Sequence, residues 1–177
     1  MVRIGPDNAP IAARPWPRLR LMFALSTTAL LHGETSISSL ANISERVELG
    51  GFNDDEVQAL EKIYGLAWTA AERAAVNDLL GGHPYLVRLL MHECQSRPAT
   101  VTDLLAPSSD VFEGHLELCR LRLRAYEDLR QRFVQIRAGA HELAPDDGLV
   151  RLEMAGFIRW DQHSARLRYK LLERLEV

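Results

Sequence analysis

The sequence predicts a mostly α fold with minor β: a remnant of a parallel α/β sheet, a small bundle of short helices, and a C-terminal unit of three helices and a hairpin. Three observations carry this. Apolar residues recur at helical spacing behind polar caps over most of residues 53–155. The run Leu19 to Leu25 is apolar except for Arg20 and has the length of a strand buried on both faces. Near the C-terminus, Arg166, Arg168 and Lys170 alternate with Leu167, Tyr169 and Leu171, the period of a strand with one wet face.

The first 18 residues hold Pro6, Pro10, Pro15 and Pro17 with Gly5 and show no periodicity, so they read as a tail or lead-in loop. The strand at Leu19–Leu25 follows, and a second candidate runs from Arg46 to Leu49. Between them, Ala29 to Ser44 is rich in Ser, Thr, Gly and Asn and reads as a loop with at most a short helix. A strand buried on both faces needs neighbours on both edges, and two strands do not complete a parallel sheet.

The helices are better specified. Asn53 with Glu56 three residues on makes a capping pair, and Val57, Leu60 and Tyr64 mark an apolar face that ends at Gly65. Thr69 with Glu72 repeats the device for a second helix with Val76, Leu79 and Leu80 inward. Gly81 and Gly82 then stop one helix almost where Pro84 starts the next, which buries Leu86, Val87, Leu90, Met91 and Cys94. Gln95 to Ser109 reads as a linker with one short helix around Asp103.

Beyond it, Phe112, Leu116, Cys119 and Leu123 predict one helix, Tyr126, Leu129, Phe133 and Ile136 a second, and Asp147 to Ala155 a third that stops at Gly156. Ile158 to Asp161 pairs with the alternating stretch across residues 162–164. Three helices and a hairpin describe a winged helix.

The joint between the second and third helices is the least ordinary stretch. Gly81 suits the left-handed conformation that closes a helix, and Gly82 leaves room for a close approach to the backbone. His83, extended because proline follows it, takes the N-cap position, and Pro84 occupies the first helical position, where no amide hydrogen is needed. Such a joint offers backbone polar groups suited to an anion or a flat base.

With these elements in place, the joint GGHPYLV resembles the glycine-x-proline element in the helical lid of signal-transduction P-loop ATPases, the AAA-like relatives called STAND proteins. LRLMFALSTT, residues 19–28, resembles their sensor strand, and ELGGFNDDEVQAL, residues 48–60, resembles the last core strand leading into the lid. The resemblance covers roughly residues 16 to 177 and rests more on the order of elements than on any single motif. It implies a tail over 1–18, C-terminal strands of an AAA-like nucleotide-binding core over 19–52, a helical lid over 53–106 and a winged-helix domain over 107–177.

The resemblance also implies ligand contacts. The proline would lie near the adenine of ATP, with Gly82, His83 and Pro84 forming that side of the site. Ser26 and Thr27, at the end of the sensor strand, would face the nucleotide where a nucleotide-binding half is present; without that half, ending the strand is the better explanation of them. Arg88, one turn into the third helix, would reach phosphate or else form a surface salt bridge. His83 would approach the base or phosphates, with capping or packing as its alternative role.

The phosphate-gripping pattern G-x-x-x-x-G-K-[ST] is nowhere in the 177 residues, and no acidic pair for magnesium precedes Leu19. In the resembling family both lie upstream of the sensor strand. The expectation is therefore a fragment, a late start or a protein without its catalytic half: a switch that takes ATP or ADP with magnesium only when another segment supplies the P-loop. No hydrolysis is expected of the chain alone. Its partner would be that missing half or another protein domain, with oligomers arising through the parent ATPase.

Composition sets limits on other classes. The net charge is -3; residues 1–111 carry 9 basic and 13 acidic groups, and residues 112–177 carry 12 and 11. Neither part is a basic domain, and Asp146 and Asp147 lead the helix in the recognition position, which argues against nucleic acid. Arg166, Arg168 and Lys170 leave a free-standing adaptor that binds a protein or, less well supported, DNA as the alternative. Cys94 and Cys119 read as reduced core thiols in a cytoplasm. No run approaches the roughly 20 apolar residues of a membrane span. His115 and Cys119 stand one helical turn apart, but no second pair at ligand spacing accompanies them, and core packing explains Cys119 better. Ser26 and Ser164 lack nucleophile-elbow glycines.

Overall fold

A computed structural model describes residues 49–177, apart from positions 141, 145, 162 and 163. The strand expected at 19–25, with Ser26 and Thr27, and all of the one expected at 46–49 except Leu49 lie outside the described residues. Leu49 itself is exposed and belongs to no strand.

Helix α1 (Asp54–Ile63) starts at Asn53, whose side chain accepts the Glu56 amide at 2.9 Å while the Glu56 carboxylate accepts the Asn53 amide at 2.8 Å. This reciprocal pair satisfies two donors that a helix start otherwise leaves unmet. Thr69 and Glu72 do the same for α2 (Ala70–Leu80), and Thr100 and Asp103 for the short α4 (Val101–Leu105). Between α2 and α4, α3 (Pro84–Ser96) buries Leu86, Val87, Leu90 and Met91, as its spacing predicts.

Glu61 was invisible to a reading based on apolar spacing. It is buried on α1, where its carboxylate accepts the Trp68 amide at 2.7 Å and the Arg73 guanidinium at 3.2 Å. A buried carboxylate persists only when paired and hydrogen-bonded, so this group fixes the α1–α2 turn.

The second half comprises α5 (Glu113–Arg124), α6 (Glu127–Arg137), α7 (Asp147–Met154) and an antiparallel hairpin, β1 (Ile158–Trp160) with β2 (Ala165–Leu167). The register sets Ile158 opposite Leu167, Arg159 opposite Arg166 and Trp160 opposite Ala165. Leu116, Cys119 and Leu123 from α5, Leu129, Phe133 and Ile136 from α6, and Leu149 and Leu152 from α7 face one core. Phe133 and Phe157 meet there edge to face.

One expectation is corrected. The alternation from Arg166 to Leu171 does not run on as a strand; pairing in β2 stops at Leu167, and Lys170–Arg174 coils into a 3-10 turn. The reason lies in the neighbouring pair Leu171 and Leu172, both fully buried. A strand sends successive side chains to opposite faces, whereas a tight helical turn places both on one side.

That turn ties the halves together. It packs against α2, where Lys170 pairs with Asp78 at 2.7 Å. Arg174 donates to the Leu105 carbonyl at 2.7 Å and to that of Ala106, at the end of α4. From the other side, Arg120 donates to the Glu176 carbonyl at 2.8 Å and Arg137 to that of Leu175. One continuous set of buried side chains runs from Val57 to Leu175. The described residues are thus mostly helical with a minor two-stranded sheet, and among them no helix is long and apolar enough to cross a membrane.

Candidate functional site

The joint at residues 81–84 is where the two halves meet. Gly81 and Gly82 both have positive φ, at 57° and 70°. The Phe52 amide donates to the Gly82 carbonyl at 2.7 Å, and a Cβ on Gly82 would lie 2.2 Å from the Phe52 carbonyl oxygen. The close approach that the sequence anticipates at Gly82 is therefore made by the chain's own segment at Gly51 and Phe52. Gly82 is buried by that crossing. On the other side, a Cβ on Gly81 would lie 2.9 Å from the Tyr169 Cβ.

His83 holds the N-cap position of α3, but its side chain makes no capping bond. Instead the ring stands edge-on to His115 from α5 and to Tyr169 after β2, with centroids 5.4 Å away in both cases. Its Nδ1 is buried with no hydrogen-bond partner. Burial lowers the His83 pKa, and the positive charge of Arg168 adds to the effect.

Tyr169 supplies what His83 lacks. Its hydroxyl lies 2.8 Å from His115 Nε2, and the Cys119 sulfur lies 3.5 Å from the same nitrogen. Burial, then the charges of His83 and Arg122, push His115 down to about 4, so the ring is neutral at pH 7. Burial likewise raises Tyr169 and Cys119, which stay protonated. A neutral histidine and a protonated phenol make one hydrogen bond between them, and no charge is buried.

These groups form the floor of a cleft of about 230 Å³. Gly81, His83 and Pro84 line one side, His115, Cys119 and Arg122 from α5 another, and Arg159, Arg168 and Tyr169 of the hairpin region a third. No carboxylate is among the described lining residues. The arrangement presents three arginines, a thiol held protonated by burial and two histidines whose pKa values burial lowers. It can bind, and an anion suits it.

Of the residues singled out by sequence, His83 and Pro84 line this cleft, Gly82 lies behind it, and Arg88 is elsewhere. Arg88 is exposed, with Nε 3.5 Å from the Tyr64 hydroxyl at the end of α1. Ser26 and Thr27 fall outside the described residues. His115 and Cys119 do meet, but no group of three His, Cys, Asp or Glu able to hold a metal occurs among the described residues. Sequence reasoning missed Tyr169 as a site residue and all the arginines facing the cleft except as a stripe on the hairpin. Tyr169 carried a signal, being an inward aromatic beside basic neighbours; Arg122 carried none.

No curated protein and no solved structure matches the chain. The family model for the AAA-like domain matches residues 1–175. With nearly the whole chain matched, this protein belongs to the AAA-like domain family.

Proposed function

We propose that this chain is the helical lid and winged-helix portion of a STAND-type AAA-like ATPase, acting as an ATP/ADP-dependent signalling switch in the cytoplasm. Residues 53–106 act as the lid and 107–177 as the winged helix. A phosphate-gripping segment from elsewhere supplies the P-loop and magnesium, and the chain turns over no ATP by itself.

One observation carries the reading. The joint at Gly81–Pro84 opens on a cleft whose other walls come from α5 and the hairpin, so a ligand there touches both halves at once. Ligand that fits one relative placement better than another shifts the population between them, by no more than its differential affinity. Free Cys94 and Cys119 suit a reducing compartment.

Titrating ATP and ADP with magnesium into the purified chain, read by calorimetry, tests the two-part clamp. Without the gripping segment, binding is weaker than about 1 mM, or about -4 kcal/mol. Micromolar affinity contradicts the division of labour.

A second reading is favoured by a different observation. Leu118 and Leu121, one turn apart on α5, are each 53% exposed, which suits a free-standing adaptor that docks a protein partner. DNA binding by the hairpin is its less favoured form, since Asp146 and Asp147 lead α7 and Arg151 is already paired with Asp128. Retention on duplex DNA that falls with salt and vanishes in Arg166→Ala/Arg168→Ala would support that form.

A further inference from the structure

Helix α5 carries two apolar stripes. Leu116, Cys119 and Leu123 form the one that packs into the core. On the opposite side Gly114, Leu118, Leu121 and Ala125 follow one another at spacings of four, three and four residues, the pattern of a coiled-coil seam. All four are exposed, the two leucines to 53% each. One stripe is enough to fold a surface helix, so the second is left for something else to cover.

The charges beside the stripe identify what fits it. Along one edge run Glu113, Glu117 and Arg124, acidic toward the start of the helix and basic toward its end. Glu113 and Glu117 share Arg120, whereas Arg124 is exposed and has no hydrogen bond or ion pair among the described residues. A surface complementary to this edge must run from basic to acidic, which is the same edge read in the reverse direction.

We infer that α5 is a self-association surface, on which two copies of this chain pack α5 against α5, antiparallel about a two-fold axis between Leu118 and Leu121. Leu118 of each copy then meets Leu121 of the other, Gly114 meets Ala125, and Glu117 meets Arg124. A two-fold contact is self-complementary when one surface carries both members of every pair, as this one does. Across the other edge Arg122 meets His115, which is neutral at pH 7, so no like-charged pair is forced. The antiparallel sense also sets the two helix dipoles against each other. Twelve residues make a helix about 18 Å long, so the seam is short and the dimer belongs to the weak, concentration-dependent class. The contact uses α5 alone and goes beyond both functional readings: it commits the leucine face, which the adaptor reading leaves to any protein, to a second copy.

Sedimentation equilibrium of the intact chain from about 1 µM to about 1 mM tests it. The mass should rise from that of one chain toward that of two, with half-association in the micromolar range. Leu118→Ala/Leu121→Ala should weaken association about tenfold or more. Val150→Ala, at an exposed position on α7, should leave it unchanged. Glu117→Arg alone and Arg124→Glu alone should each stay monomeric, since like charges then face each other across the axis. Mixing the two should restore a dimer holding one copy of each, which also shows that neither variant has lost its fold. The mass of one chain at every concentration would overturn the inference, whether residues 1–48 or a different protein then covers the stripe. So would a dimer that the leucine and charge variants leave intact, or two monomeric charge variants that do not combine.

Discussion

The Tyr169 hydroxyl lies 2.8 Å from His115 Nε2, a bond between residues 54 positions apart that fastens the C-terminal segment to α5 at the floor of the cleft. Replacing Tyr169 with Phe keeps the ring that packs on Gly81 and His83 but leaves the His115 nitrogen with only the Cys119 thiol. The expected cost is about 1–2 kcal/mol in urea unfolding. No change in stability would mean that the bond contributes nothing.

Stability should also depend on pH through the histidines. His115 has its folded pKa near 4, below the ordinary 6.5, and His83 is lowered as well. Between those values the unfolded chain binds more protons than the folded one, so stability rises with pH there. The contribution is complete above about 6.5 and is lost as pH falls toward 4. Urea unfolding at several pH values should show that slope, and His115→Gln should flatten part of it. An identical slope in the variant would place its origin elsewhere.

The glycines of the joint offer a paired comparison. Gly65 and Gly82 both have positive φ, but a Cβ at Gly65 meets nothing within 4 Å, whereas one at Gly82 runs into the Phe52 carbonyl. Gly65→Ala should cost roughly 1 kcal/mol from conformation alone. Gly82→Ala should cost roughly 3 kcal/mol or more, since the crossing segment must move. Equal costs in thermal unfolding would refute the crossing as the reason for Gly82.

Glu61 is the buried charge among the described residues, and its side-chain partners are Trp68, before α2, and Arg73, in its first turn. Glu61→Ala leaves the Trp68 amide unmet and the Arg73 guanidinium with only the Trp68 carbonyl, and should cost roughly 3 kcal/mol. Glu61→Gln retains an acceptor for the amide and should cost less. The order of the two variants in denaturant midpoint checks the assignment.

These residues also show where sequence was legible. Caps at Asn53, Thr69 and Pro84, and apolar spacing through Val57, Val76, Leu90, Leu116 and Phe133, are local rules, and the helices follow them. Gly82 was rightly marked as a place of close approach, but which chain approaches is a tertiary fact. The stripe at 166–171 carried a strand's period, and tertiary burial of Leu171 and Leu172 overrode it. For the cleft, His83 and Pro84 could be found because punctuation residues mark a joint. Arg122 could not, since one arginine on a helix looks like any solvated residue until the hairpin is folded beside it.

The proposed switch requires a nucleotide at the joint between His83 and the C-terminal unit. Following the ring resonances of the histidines while ADP is added to about 10 mM, high enough to populate a complex only modestly weaker than about 1 mM, tests it most directly. The rings of His83 and His115 should shift and move to higher pKa as an anion arrives, while His92, exposed on the far part of α3, stays put. Unmoved His83 and His115 at the highest ADP concentration would contradict a nucleotide at the joint.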